Sequence, residues 1–202
     1  MKTNQQVKAF LNTQVKNIKG MEGFVMSLVS KFSNIDSLAG IIATEVLPND
    51  PSDTLVAFAF AVGSEDSDVS HCLLCTGSGI HVIQDLENGV FDYLYQISFS
   101  DIQTIEVKKT GFFEPVYHLN IYQAGKNKKK GWFFTGLPKM LNYFQVSAAN
   151  ALLNYDETEL SAASMVTSPA IDSIDGAKRI KALLDQKLIT KKDFDAKMKK
   201  LG

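Results

Sequence analysis

The 202-residue sequence predicts an α+β fold: N-terminal helices, a small antiparallel β-barrel or sandwich capped by one helix, then a C-terminal helical hairpin. Three observations predict it. Apolar residues recur every three or four positions up to Val46, the spacing of amphipathic helices. From Thr54 the apolar period drops to two, in about seven short runs packed too closely in sequence for βαβ crossovers. Helical spacing then returns after the last of these runs, and again near the C terminus.

Taken in order, Gln5 to Lys19 reads as the first helix, with Val7, Phe10, Leu11, Val15 and Ile18 on one stripe. The period restarts after Gly20 with Met21, Phe24, Val25, Leu28, Val29 and Phe32. A short third helix follows "SNID", carries Ile35, Leu38, Ile41, Ile42 and Val46, and is ended by "LPNDP". "TLVAFAFAV" is a strand and "SEDSDVS" an acidic loop. "HCLLCTGSGIHVI" is a hairpin turning at Thr76 to Gly79. "FDYLYQISF" is a strand broken at Ser100 and Asp101, "IQTIEVKK" continues, and "TGFFEP" turns. "VYHLNIYQ" and "GWFFTG" flank the lysine-rich loop "AGKNKKK" as another hairpin. Pro138 then suits the first turn of a helix whose apolar face runs from Met140 and Leu141 through Phe144 and Ala148 to Leu152. Small antiparallel barrels have ends and edges that need cover, which such a helix supplies. These signals divide the chain into an N-terminal helical region (1–50), a β domain with its capping helix (54–154), a flexible linker rich in small polar residues (155–172) and a helical hairpin (173–202).

Composition bounds the function. The formal net charge of -1 argues against a dedicated nucleic-acid binder. Charge is unevenly spread: between Gly20 and Val107 one base, Lys31, faces thirteen acids, while from Lys108 onward sixteen bases face nine acids. Met1 to Gly20 holds no apolar core of a secretory signal. The longest apolar run, Leu55 to Val62, is far short of the roughly 20 residues of a spanning helix. The expectation is a soluble, cytoplasmic protein, with Cys72 and Cys75 in a reducing compartment.

The patterns of catalysis do not assemble. "HCLLC" offers His71, Cys72 and Cys75, but a zinc site wants four ligands, and His81 is the only further candidate nearby. On a strand, Cys72 and Cys75 point to opposite faces because their separation is odd, and a redox Cys-x-x-Cys needs a helix N-terminus instead. "TGSG" lacks the lysine and helix of a phosphate loop. Glu65, Asp66 and Asp68 lack the spacing of a calcium loop. The sequence therefore predicts a protein that is not an enzyme, with no cofactor, no metal and no small-molecule substrate.

Two stretches resemble known families. "HCLLCTGSGIHVI", "YQISFSDIQTIEVKKTG" and "YHLNIYQ…GWFFTG", followed by a helix, resemble a bacterial pleckstrin-homology-like domain, with "ISFSDIQTIEVKKTGFF" the most telling part. That resemblance implies a small helix-capped barrel. Eukaryotic relatives that bind phosphoinositides place bases in the first hairpin loop, where this chain has the acidic "SEDSDVS", so lipid binding of that kind does not carry over. The closing "IKALLDQKLITKKDFDAKMKKLG" resembles the short C-terminal domain known as SHOCT. Lys187 stands where that family has Gly, Lys191 and Lys192 replace acids, and Asp193 replaces Glu. The resemblance implies oligomerisation.

Physical chemistry says why that hairpin needs a surface. Thr190 with Asp193 starts its second helix in the manner of a capping box, but Lys191 and Lys192 oppose the helix dipole. Its apolar residues are too few to offset the entropy of ordering the unit alone. Ile180, Leu183, Leu184, Leu188, Ile189, Phe194, Met198 and Leu201 are the expected docking residues, against a second copy, another protein or the chain's own body. The leading expectation is a non-enzymatic protein-interaction and oligomerisation protein. The alternative is a peripheral anion binder that meets membrane phospholipid or nucleic acid through Lys126, Lys128, Lys129 and Lys130 and the basic C-terminal helix.

Overall fold

The computed structural model describes residues 2–22, 34–50, 52, 54–63, 69–86, 89–113, 115–125 and 130–164, and three isolated positions, Lys181, Asp195 and Lys199. The expected second helix between Met21 and Phe32 lies almost wholly outside these residues. Helix α1 spans Asn4–Glu22. It begins one residue earlier than periodicity alone suggests because Thr3 and Gln6 exchange hydrogen bonds: Thr3 N–H donates to Gln6 Oε1 at 2.9 Å, and Gln6 N–H to Thr3 Oγ1 at 3.3 Å. Helix α2 spans Ile35–Ile41, widens into a π turn at Ile42–Val46 and tightens into a 3-10 turn at Leu47–Asn49. Pro48, which has no N–H to donate, ends it there. An ion pair between Lys8 and Asp36 ties α1 to α2.

Seven strands follow: β1 (Leu55–Gly63), β2 (Ser70–Thr76), β3 (Gly79–Asp85), β4 (Phe91–Ser98), β5 (Ile102–Thr110), β6 (Val116–Gln123) and β7 (Gly131–Gly136). They form one antiparallel sheet in the order β4-β3-β2-β1-β7-β6-β5. The strand boundaries, the β2–β3 turn and the break after Ser98 follow the expected pattern closely. Helix α3 (Pro138–Ser164) starts directly after β7 and packs on β1, β2, β5 and β6, strands from both halves of the order. It continues through Ser164, well into the stretch read as a flexible linker. Glu157, Glu159, Leu160, Ala162 and Ala163 are good helix formers, so the helix propagates once Tyr155 has packed on Phe99 with ring centroids 5.8 Å apart.

The two halves of the sheet are built differently. In β5–β7 the faces alternate: Ile105, Leu119, Ile121 and Phe134 are buried in the core, while Glu106, Lys108 and His118 share the other face. In β1–β3 both faces are apolar. Register puts Phe58, Phe60, Cys72, Leu74, His81 and Ile83 on one face, and Ala57, Ala59, Leu73, Cys75, Ile80 and Val82 on the other. All twelve are buried. Leu11 and Val15 of α1 and Ile35 and Leu38 of α2 gather with Phe58, Phe60 and Phe91 around the first face. The N-terminal helices thus belong to the same continuous core as the sheet.

The seam between the halves is short. Strands β1 and β7 pair only at Val62↔Thr135 and Gly63↔Phe134. Further along β1, the Phe60 N–H donates to the Met140 sulfur of α3 at 3.4 Å, so the helix serves backbone that β7 leaves behind. Close approach also demands glycine at two strand positions: a Cβ at Gly79 would collide with the Ile97 carbonyl oxygen, and one at Gly131 with that of Ile121. Gly79→Ala should therefore cost about 1–3 kcal/mol of stability. In Gly40→Ala, on α2, the new methyl would meet only Asn4 Nδ2 at 4.0 Å. That change should be neutral or stabilise by up to about 1 kcal/mol. Urea unfolding of the two variants beside wild type checks both signs.

Candidate functional site

Asp50 leaves the 3-10 turn in extended conformation (φ -97°, ψ 116°) and reaches the β2–β3 turn. Its side chain, like that of His81, is fully buried. Oδ1 accepts the Ser52 N–H at 2.8 Å and the Ser52 hydroxyl. Oδ2 accepts the Thr76 hydroxyl, the Ser78 hydroxyl at 2.7 Å and His81 Nε2 at 2.8 Å. A carboxylate only accepts, so Nε2 carries the proton in that contact. Nδ1 of the same ring faces the Tyr93 hydroxyl at 3.2 Å. The outer ring of partners is closed too: Gln96 Nε2 donates to Ser78 Oγ at 2.9 Å, and Gly77 N–H to Ser52 Oγ at 2.9 Å.

Burial opposes ionisation of Asp50, but hydrogen bonds from His81, Ser52, Thr76 and Ser78 outweigh it and hold the carboxyl well below the usual carboxylate range. The same buried charge, after burial itself, raises the Tyr93 phenol and the Cys75 thiol above their ordinary values. Serine, histidine and aspartate meet here, but not in the order of a hydrolase relay. Ser78 donates to the carboxylate instead of the imidazole, and the second imidazole nitrogen meets a phenol. The arrangement works as a clasp between the end of the helical layer and the sheet. No local pattern announces it, since Asp50 lies 26 to 31 residues from Thr76, Ser78 and His81. "LPNDP" reads only as a helix stop.

The second feature is exposed. The β5–β6 hairpin closes beyond Thr110↔Val116. Gly111 takes the left-handed conformation (φ 78°) that starts the turn. Phe112 and Phe113 follow, 92% and 93% exposed, their rings edge to face with centroids 5.2 Å apart. Val116 is exposed beside them. The base of this tip is stiff. His118 joins Thr110 of β5 at 2.9 Å and Thr135 of β7 at 3.1 Å. Lys108 lies 2.7 Å from Glu106 and donates to the Tyr122 hydroxyl at 3.0 Å; these hydrogen bonds raise its pKa and keep the ammonium charged. Lys109, next in the strand, is exposed. The signal in the sequence was two adjacent phenylalanines inside a turn, "TGFFEP", where burial has no neighbour to offer.

The residues singled out from sequence fall as follows. Cys72 and Cys75 are buried on opposite faces of β2, as their odd spacing implies. His71, His81 and His118 are apart: His71 beside Phe134, His81 in the clasp, His118 under the tip. Lys130 is exposed at the head of β7, and its carbonyl accepts the Gln123 N–H at 3.2 Å. Lys126, Lys128 and Lys129 lie outside the described residues. So do Ile180, Leu183, Leu184, Leu188, Ile189, Phe194, Met198 and Leu201; of that region Lys181, Asp195 and Lys199 are helical and exposed. Among the described residues no helix is long and apolar enough to cross a membrane. No protein-family model matches this chain, and no curated protein matches it.

Two outcomes follow for the clasp. His81→Leu leaves a buried carboxylate short of a partner and should cost about 3–5 kcal/mol in denaturant unfolding. Because the folded-state pKa of Asp50 is depressed, its contribution is fully present above the unfolded value of about 3.9 and is lost progressively as pH falls below it toward the lower folded-state value. Melting curves between neutral pH and pH of about 3 should show a steeper acid loss for wild type than for Asp50→Asn.

Proposed function

We propose that the chain is a non-catalytic protein-interaction and oligomerisation protein, a pleckstrin-homology-like scaffold carrying a SHOCT-like assembly hairpin. The assembly part of this reading is carried by the closing segment, whose apolar residues are too few to order it alone, and the contact part by the Phe112–Phe113 pair. Phe58, Phe60, Phe91, Phe99, Phe134 and Phe144 are all buried, yet two adjacent phenylalanines stand almost wholly in water on a braced hairpin. Holding them there forgoes the stabilisation of burying two large rings, so the tip is built for contact. The scaffold reading is supported by seven antiparallel strands with one helix directly after the last. It is supported also by the way α3 touches strands of both halves, as a sheet curled into a barrel or sandwich would allow. The hairpin reading rests on the apolar stripe of its sequence and on the shortfall that obliges it to dock.

A second reading, anion binding, is favoured by the exposed Lys130 at the end of the loop that also holds Lys126, Lys128 and Lys129. It predicts attraction to phosphates that fades steeply with salt.

Sedimentation velocity tests the assembly reading. The full chain should sediment as a multiple of the monomer mass, and the double substitution Leu188→Asp with Phe194→Asp should return it to the monomer. Equal masses for both proteins would reject the assembly role of the hairpin.

A further inference from the structure

We propose that the Phe112–Phe113 tip seats in the interfacial layer of a phospholipid bilayer, making this chain a peripheral membrane-contacting protein; the inference rests on the reading of the tip as a contact surface. Shape and size select the partner. A tip that projects two rings is convex, and a protein would need a matching hole to bury it. An aromatic side chain buries about 150–250 Å². The pair with Val116 therefore offers on the order of 400–500 Å², well under the roughly 800 Å² per partner of a stable protein complex. A bilayer surrounds a convex tip on every side and requires no complementary surface.

The hairpin is prepared for that medium. Gly111 sets the turn, and His118 pins β5 and β7 at its base, so little ordering is left to lose on insertion. Lys109, exposed in the strand below the rings, is the base free to meet headgroup phosphates, while the Lys108 ammonium turns back to Glu106 and Tyr122. Glu106 pairs with Lys108, and Glu114 follows the two rings in sequence, so the local charge nearly cancels. Apolar insertion is then the main term and lipid charge a minor one. This separates the tip from the lysine loop between β6 and β7. That loop connects the ends of the strands opposite to the β5–β6 turn, and its attraction would be electrostatic.

Flotation of the full chain with vesicles of phosphatidylcholine, alone and mixed with phosphatidylglycerol, tests the proposal. Wild type should float with both, and added salt should leave most of the binding in place. Phe112→Ser with Phe113→Ser should lower partitioning about a hundredfold or more, while its melting temperature stays that of wild type because neither ring is packed in the fold. Wild type that stays at the bottom with both vesicles, or a double variant that floats as well as wild type, overturns the membrane inference. If the vesicles fail but the double variant loses mass in sedimentation, the tip is a protein contact: the interaction reading survives and the bilayer does not. If the substitutions change neither flotation nor mass, both readings of the tip fall.

Discussion

Strands β1 to β3 carry apolar side chains on both faces, and burying the second face is the constraint from which much of the rest follows. A sheet folded only around its own interior would leave Phe58, Phe60, Leu74 and Ile83 in water. Helices α1 and α2 remove that surface with Leu11, Val15, Ile35 and Leu38. This is why the N-terminal region shares one core with the sheet. The β5–β7 half has no such demand, because Glu106, Lys108 and His118 already make its second face polar.

Apolar contact alone would let the helical layer slide over the strands. The clasp at Asp50 removes that freedom, because five donors converge on one carboxylate and only one placement of the helix end satisfies them. Its position at the β2–β3 turn is apt. There the backbone leaves the ladder, Gly77 N–H needs a partner and Ser52 supplies it. Polar groups thus gather where the sheet ends, and the middle of the strands stays dry. Exposure at the opposite extreme, the two rings at the β5–β6 turn, then reads as a choice about surface and not as a defect of packing.

Much of the strand layout was legible from residues alone. The change of period at Thr54, the glycines of "TGSG" and the break at Ser100 mark local events, and local chemistry decides them. The end of α3 was not legible, because small and polar residues after Asn154 look like linker until Tyr155 finds Phe99. The clasp was invisible for a deeper reason. Asp50 and His81 are distant in sequence and individually ordinary, and only the fold makes them partners. The tip lay between: "TGFFEP" is plainly a turn, and its meaning depends on knowing that no element among the described residues packs over it.

Cys72 and Cys75 sit three residues apart on opposite faces of one strand, Cys72 with the face under α1 and α2 and Cys75 with the other. Neither thiol can meet an alkylating reagent until the layer above it lifts. The chain therefore carries two native clocks, three residues apart, that time the departure of its outer helices and the opening of its interior separately.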